Sequence, residues 1–207
     1  GVRSQPHVEL TPNRHTRAAA LQARGYSTGA IVSSVVLDGE LGLEQGFDSY
    51  DDMFLNPPDR MGNERLGEEV SDVAIAWLDE HKDDEKPWAL FLSFVCPHPP
   101  YICPQKFFDQ YIDQHIPFQP QWRESDWPQH PALDYMRRFF DFDPQFTEAQ
   151  IKQMIAAYLG ACSHLDEQIG RVLDELDKLG LVDSTRVIYT SDHGEHQGAR
   201  GVWGKFS

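Results

Sequence analysis

The chain has 207 residues, 40% hydrophobic and 12% aromatic, enough apolar material for one sizeable core and too much for a disordered chain. Asp and Glu number 33 against 18 Lys and Arg, a net charge of −15, which argues against nucleic acid as a partner because phosphate binding needs clustered Lys and Arg. No apolar run reaches the roughly 18 residues of a membrane span, and Cys96, Cys103 and Cys162 do not make a disulfide scaffold.

In chain order, "HTRAAALQARG" (residues 15–25) predicts a short helix, with Gly25 where the helix end needs a positive φ. Residues 27–36 are rich in β-branched side chains and predict a strand. "EQGFDSYDDMFLNPPDR" reads as an acidic, turn-rich loop. Leu66, Val70, Val73, Ala74, Trp77 and Leu78 keep helical spacing and predict a helix over about 63–81. Residues 88–95 are apolar on both faces, as in a parallel sheet covered by helices, and Pro97, Pro99 and Pro100 end that strand.

Residues 102–144 form a long irregular excursion, with one short helix expected near 133–140. Thr147 and Gln150 spell a capping box. Behind it Ile151, Met154, Ile155, Tyr158, Leu159, Cys162, Leu165, Ile169, Val172, Leu173 and Leu176 trace one helical face that Gly180 closes. "TRVIYT" (residues 185–190) predicts a last strand. The alternation implies an α/β protein with a mainly parallel central sheet covered by helices.

Ligands of such sheets bind beyond the carboxyl ends of the strands. Two predicted strands end in chemically loaded loops, "CPHPPY" and "SDHGE", so His98, Asp192 and His193 are expected at one sheet edge. Asp192 and His193 offer two donors to a divalent cation, where a hard metal takes about six. The alternative is a capping Asp beside a solvated His. Prolines restrict the backbone of His98, which suits an imidazole held in one direction and also fits an ordinary loop. Lys205 follows Gly204 in a loop of small residues, a place for an anion contact or for a surface Lys; Arg200 is a weaker candidate of the same kind. Glu195, His196 and the "DDEK" run read as solvated charge.

Taken in order, these segments resemble the sulfatase family of the alkaline phosphatase superfamily along nearly the whole chain. "LQARGYSTGA" and "GLEQGFDSYDD" resemble the family's helix, strand and following loop. "KPWALFLSFVCPHPPY" resembles its histidine loop, and the segment from "AAYLGACSHLDEQIG" to "GVWGK" resembles its long helix and metal strand. The resemblance implies an alkaline-phosphatase-like catalytic domain, of which residues 1–207 are a part truncated at both ends. It implies metal ligation by Asp192 and His193, with Ca2+ expected and Mn2+ the alternative. It implies sulfate-ester contact by His98 and Lys205, on a small-molecule or glycan sulfate ester. His193 stands where many members carry Asn, as in the choline-sulfatase and phosphonate-monoester-hydrolase types.

Two features depart from the family pattern. The family nucleophile is a formylglycine made within C/S-x-P-x-R, whereas Cys96, Cys103 and Cys162 are followed two residues on by His98, Gln105 and His164. It is therefore expected upstream of Gly1, and this chain alone is expected to be inactive. "GAIVSSVVL" also lacks the family's GK-x-H. Two other expectations compete with the sulfatase: a phosphonate or phosphate ester hydrolase of the same superfamily, and a non-catalytic domain that binds sulfated ligands or serves a structural role.

Overall fold

The computed structural model describes residues 9–53, 64–140 and 146–205. The predicted helix start at 63, the end of the acidic loop and positions 141–144 of the excursion lie outside the described residues. The chain divides into two compact units, residues 1–96 with 167–185 and residues 97–166 with 186–207.

The first unit holds the sheet. Helix α1 (Arg17–Gln22) starts at Thr16, whose Oγ1 accepts the Ala19 N–H at 3.0 Å, and Gly25 follows it at φ 85°. Strands β1 (Ser27–Ile31), β2 (Ser49–Asp51) and β3 (Trp88–Leu92) pair in parallel in the order β2-β1-β3. This is the expected parallel sheet with three corrections. β1 stops at Ile31 rather than residue 36, because Val35 and Val36 turn outward into a short 3-10 turn and are 38% and 63% exposed.

β2 lies inside the stretch read as a loop. Its register is set by Asp48, whose carboxylate accepts the Thr28 N–H at 2.8 Å while the Asp48 N–H donates to the Thr28 carbonyl at 2.8 Å. Polar ties to β1 thus override an acidic composition. β3 is an edge strand ending at Leu92, and Phe91 is half exposed, so it is not covered on both faces.

Helix α2 (Gly67–His81) presents Val70, Ala74, Trp77 and Leu78 to the core as its spacing predicts, while Leu66 before it is exposed. Ile31, Val172 and Leu176 complete the cluster. Burying side chains of this size stabilises by about 1.5–3 kcal/mol each. The Ser71 hydroxyl donates to the Gln168 carbonyl at 3.0 Å, fastening α2 to the last turns of the long helix.

The second unit is built from α3 (Gln105–Phe108), α4 (Pro131–Phe139), loops and the first half of α5 (Glu148–Lys178). α4 is the expected short helix. The capping box forms before α5: Thr147 N–H donates to Gln150 Oε1 at 2.9 Å and Gln150 N–H to Thr147 Oγ1 at 3.3 Å. Gly160 lets α3 approach the α5 backbone, since a Cβ there would fall 2.7 Å from Cys103 Sγ. Ile151, Ile155 and Trp203 form a second core, lined by Tyr101, Phe118 and Trp122.

Residues 185–190, the predicted last strand, form no strand in the described structure. Val187, Ile188 and Tyr189 are 57%, 81% and 73% exposed. Apolar β-branched composition supplies the propensity but not the neighbouring ladder that makes a strand.

Candidate functional site

His98, Asp192, His193, Arg200 and Lys205 all belong to the second unit. The rings of His98 and His193 face each other edge-on, with centroids 6.4 Å apart. The loop after β3 and the turn at Asp192 therefore meet, although no strand carries the second of them. His98 is exposed, and its Nδ1 lies 2.7 Å from the Pro99 carbonyl oxygen. That carbonyl can only accept, so Nδ1 carries the hydrogen and Nε2 is left for another partner.

The same logic applies at His193, whose Nδ1 lies 2.9 Å from the Gly194 carbonyl oxygen. Asp192 divides its carboxylate. Oδ1 accepts the His193 N–H at 3.0 Å, which caps the turn, while Oδ2 stands 3.4 Å from His193 Nε2. The capping bond thus occupies Oδ1, and Oδ2 is the oxygen turned to the imidazole. Adjacent ligands of a six-coordinate cation with bonds near 2.3–2.4 Å stand about 3.3 Å apart, so Oδ2 and Nε2 fit two neighbouring positions on one divalent ion. Among the described residues no cluster of three or more His, Cys, Asp and Glu side chains is placed to hold a metal. The pair fits the cation but does not complete its shell.

The stretch from His196 to Gly204 is a closed loop. His196 N–H donates to the Gly204 carbonyl at 3.2 Å and Gly198 N–H to the Val202 carbonyl at 3.0 Å. Arg200 sits at its tip with φ 58°; its side chain is exposed, and its carbonyl accepts from Arg137 Nη1 at 2.8 Å. Arg137 is buried in the excursion, pairs with Asp134 and lies 4.8 Å from the Trp127 ring. Trp127 also packs over Gly201, where φ is 71° and a Cβ would fall 2.3 Å from the indole, so position 201 accepts only glycine. Gln119 Nε2 donates to Gln197 Oε1 at 2.8 Å. Lys205 leaves this loop exposed.

Glu195 is not the solvated charge its sequence context suggests. It is half buried, and its Oε1 accepts the Gly204 N–H at 2.6 Å and the Gln197 N–H at 3.1 Å. The buried Tyr101 hydroxyl faces it. Burial first and the Glu195 carboxylate second push the Tyr101 pKa well above the usual phenol value, yet no hydrogen bond of ordinary geometry satisfies this hydroxyl. Tyr158, whose ring centroid lies 5.6 Å from that of Tyr101, is pushed up to about 12, again chiefly by burial. Periodicity carries no sign of Glu195 or Arg137, because each acts on main-chain groups. The one available signal was a carboxylate set among glycines in a loop already rich in ligating groups.

The Sulfatase family model matches residues 1–207. The chain is 34% identical over 137 residues to choline-sulfatase of Rhizobium meliloti, an alignment covering 63% of this chain and 26% of that protein. It is 34% identical over 134 residues to a multifunctional alkaline phosphatase superfamily protein of Trinickia caryophylli, covering 59% and 26% of the two chains. The chain thus spans about a quarter of the length of these relatives. Its fold matches phosphonate monoester hydrolase from Silicibacter pomeroyi with a TM-score of 0.70 at 20% identity, over 98% of this chain and 52% of that one. With a family match running from Gly1 to Ser207, the chain belongs to the sulfatase family.

Proposed function

We propose that the protein hydrolyses sulfuric esters of small molecules or glycans, with Asp192 and His193 holding a divalent cation and His98 and Lys205 meeting the ester. The observation that carries this reading is the approach of His98 to the Asp192–His193 pair, ring centroids 6.4 Å apart, in a chain of the sulfatase family. Cleavage of the S–O bond leaves negative charge on the departing oxygen. His98, with Nδ1–H directed at the Pro99 carbonyl, donates from Nε2 to that oxygen when the ring is doubly protonated, and so acts as the general acid. Lys205 adds a positive charge; at about 4 Å and an effective dielectric near 20, such a contact with an anion is worth about 4 kcal/mol. Arg200, at the tip of the same loop, is the candidate for a peripheral substrate contact. A bound cation, Ca2+ first and Mn2+ as the alternative, would polarise the ester oxygens and the nucleophile. The nucleophile in this reading is a formylglycine formed at a residue other than Cys96, Cys103 and Cys162.

Similarity to the multifunctional relative favours a second reading, a phosphonate or phosphate ester hydrolase, since sulfate and phosphate share a tetrahedral shape. The deciding experiment uses the protein as its gene encodes it. Steady-state hydrolysis of an aryl sulfate and an aryl phosphonate monoester is measured for wild type, Lys205→Ala and Lys205→Arg, together with melting temperatures. The sulfate ester should be the faster substrate. Lys205→Ala should lower turnover about a hundredfold or more at a nearly unchanged melting temperature. Lys205→Arg should rescue only in part, since a planar guanidinium does not replace a compact ammonium. Faster phosphonate turnover would establish the second reading. Binding of a sulfated ligand without turnover of either ester would make this a non-catalytic domain.

A further inference from the structure

We propose that Glu195 is a positioning residue whose carboxylate clasps the loop carrying Lys205 to the turn carrying Asp192 and His193. The inference rests on the sulfuric-ester reading of the same site and adds to it how Lys205 is held in place. Among the described residues Lys205 belongs to no regular element, and its own side chain is exposed. Its position is therefore set by Gly204. That glycine is gripped on both sides: its carbonyl accepts from His196 N–H at 3.2 Å, and its N–H donates to Glu195 Oε1 at 2.6 Å. The same oxygen accepts the Gln197 N–H at 3.1 Å, so one atom fastens both ends of the 196–204 loop. Glu195 itself lies two residues beyond His193. The distance along the chain from metal pair to Lys205 is thus short-circuited by a single side chain.

The third component of the site meets Glu195 as well. Tyr101 follows His98 by three residues, its hydroxyl is buried, and the Glu195 carboxylate is close enough to raise its pKa. The Tyr101 ring also packs 5.6 Å from Tyr158 and 6.2 Å from Trp203, centroid to centroid. A carboxylate placed among these rings and next to two main-chain donors has an acceptor's task, which depends on where its oxygen lies rather than on its charge. Displacing a charge by about 1 Å at a reacting centre costs on the order of a hundredfold in rate.

Two substitutions separate oxygen position from charge. Glu195→Gln keeps an acceptor oxygen in place and removes the charge, whereas Glu195→Asp keeps the charge and withdraws the oxygen by one methylene. In the protein as its gene encodes it, Glu195→Gln should stay within about threefold of wild type for aryl sulfate hydrolysis, and Glu195→Asp should lose tenfold to a hundredfold, chiefly in kcat. Combined with Lys205→Ala, Glu195→Asp should cost almost nothing more, because a misplaced Lys205 and an absent one do the same harm. Amide hydrogen exchange at Gly204 should quicken in Glu195→Asp and not in Glu195→Gln. That last measurement needs no turnover, so it judges the clasp even if the protein hydrolyses no sulfate ester. Unchanged Gly204 exchange in Glu195→Asp overturns the proposal. So does a Glu195→Gln variant as impaired as Glu195→Asp, or losses that multiply in the Lys205→Ala background.

Discussion

The two units solve different problems with different means. In the sheet unit, position comes from repetition: parallel ladders hold β1 between β2 and β3, and Ile31 of β1 packs with Val70, Ala74 and Leu78 of α2 and with the end of α5, all almost wholly buried. In the loop unit, position comes from single side chains that reach main-chain groups. Arg137 holds the Arg200 carbonyl, and Glu195 holds the Gly204 N–H. A ladder spreads its energy over many equivalent bonds, and the loss of any one is shared. A loop held by one guanidinium or one carboxylate concentrates its geometry there. The candidate site lies wholly in the second kind of structure, so its chemistry should be more sensitive than its stability.

Substitutions in each unit can break or sharpen that contrast. The largest stability effect is expected in the sheet unit. Ile31 is 1% exposed at the heart of its cluster, and Ile31→Ala should destabilise by about 3–4 kcal/mol in urea unfolding, with the kinetics of the remaining folded protein unaltered. A smaller thermodynamic effect with a kinetic signature is expected in the loop unit. Arg137→Ala leaves the Arg200 carbonyl without its buried donor, which should cost about 2 kcal/mol, and turnover should fall further than the folded fraction accounts for. Equal behaviour of the two variants would erase the distinction between the units.

The smallest effect is a pH dependence. Asp48 is held below the ordinary carboxylate value of 3.8, first by the Gln22 amide and then by the Thr28 N–H. A carboxyl depressed by folding contributes stability above its unfolded pKa and loses it as pH falls through the lower folded value. Wild type should therefore lose melting temperature on acidification through and below about pH 3.8. Asp48→Asn, being slightly less stable at neutral pH, should lose less over the same range. Asp48 is exposed, so the difference should be slight.

The regular parts of the fold were legible because their signals are local. A capping box and eleven apolar positions at one spacing define α5, and both Thr147 bonds and the buried Ile155 and Val172 follow from them. β2 was hidden because three residues, one of them Asp51, are a strand only by virtue of β1 beside them. The reverse holds for residues 185–190, where Val187, Ile188 and Tyr189 have the propensity and lack the ladder. At the site, the ligating types at His98, Asp192, His193 and Lys205 could be read from the sequence. What aims them could not. Glu195 and Arg137 bond backbone groups, and an acceptor of a glycine N–H nine residues away leaves no trace in composition.

The close approach at Gly160 also governs how the thiols react. With no side chain at that position, Cys103 lies against the α5 backbone, and burial raises its thiol above the ordinary value. Cys162 is raised by burial as well, against a smaller lowering by Tyr158. Only the thiolate attacks an electrophile, so a raised value leaves little of the reactive form at neutral pH. Alkylation of these two sulfurs by iodoacetamide should therefore be slow at neutral pH and quicken as pH rises. That labelling can be read by mass without a substrate, a metal or an assay for turnover.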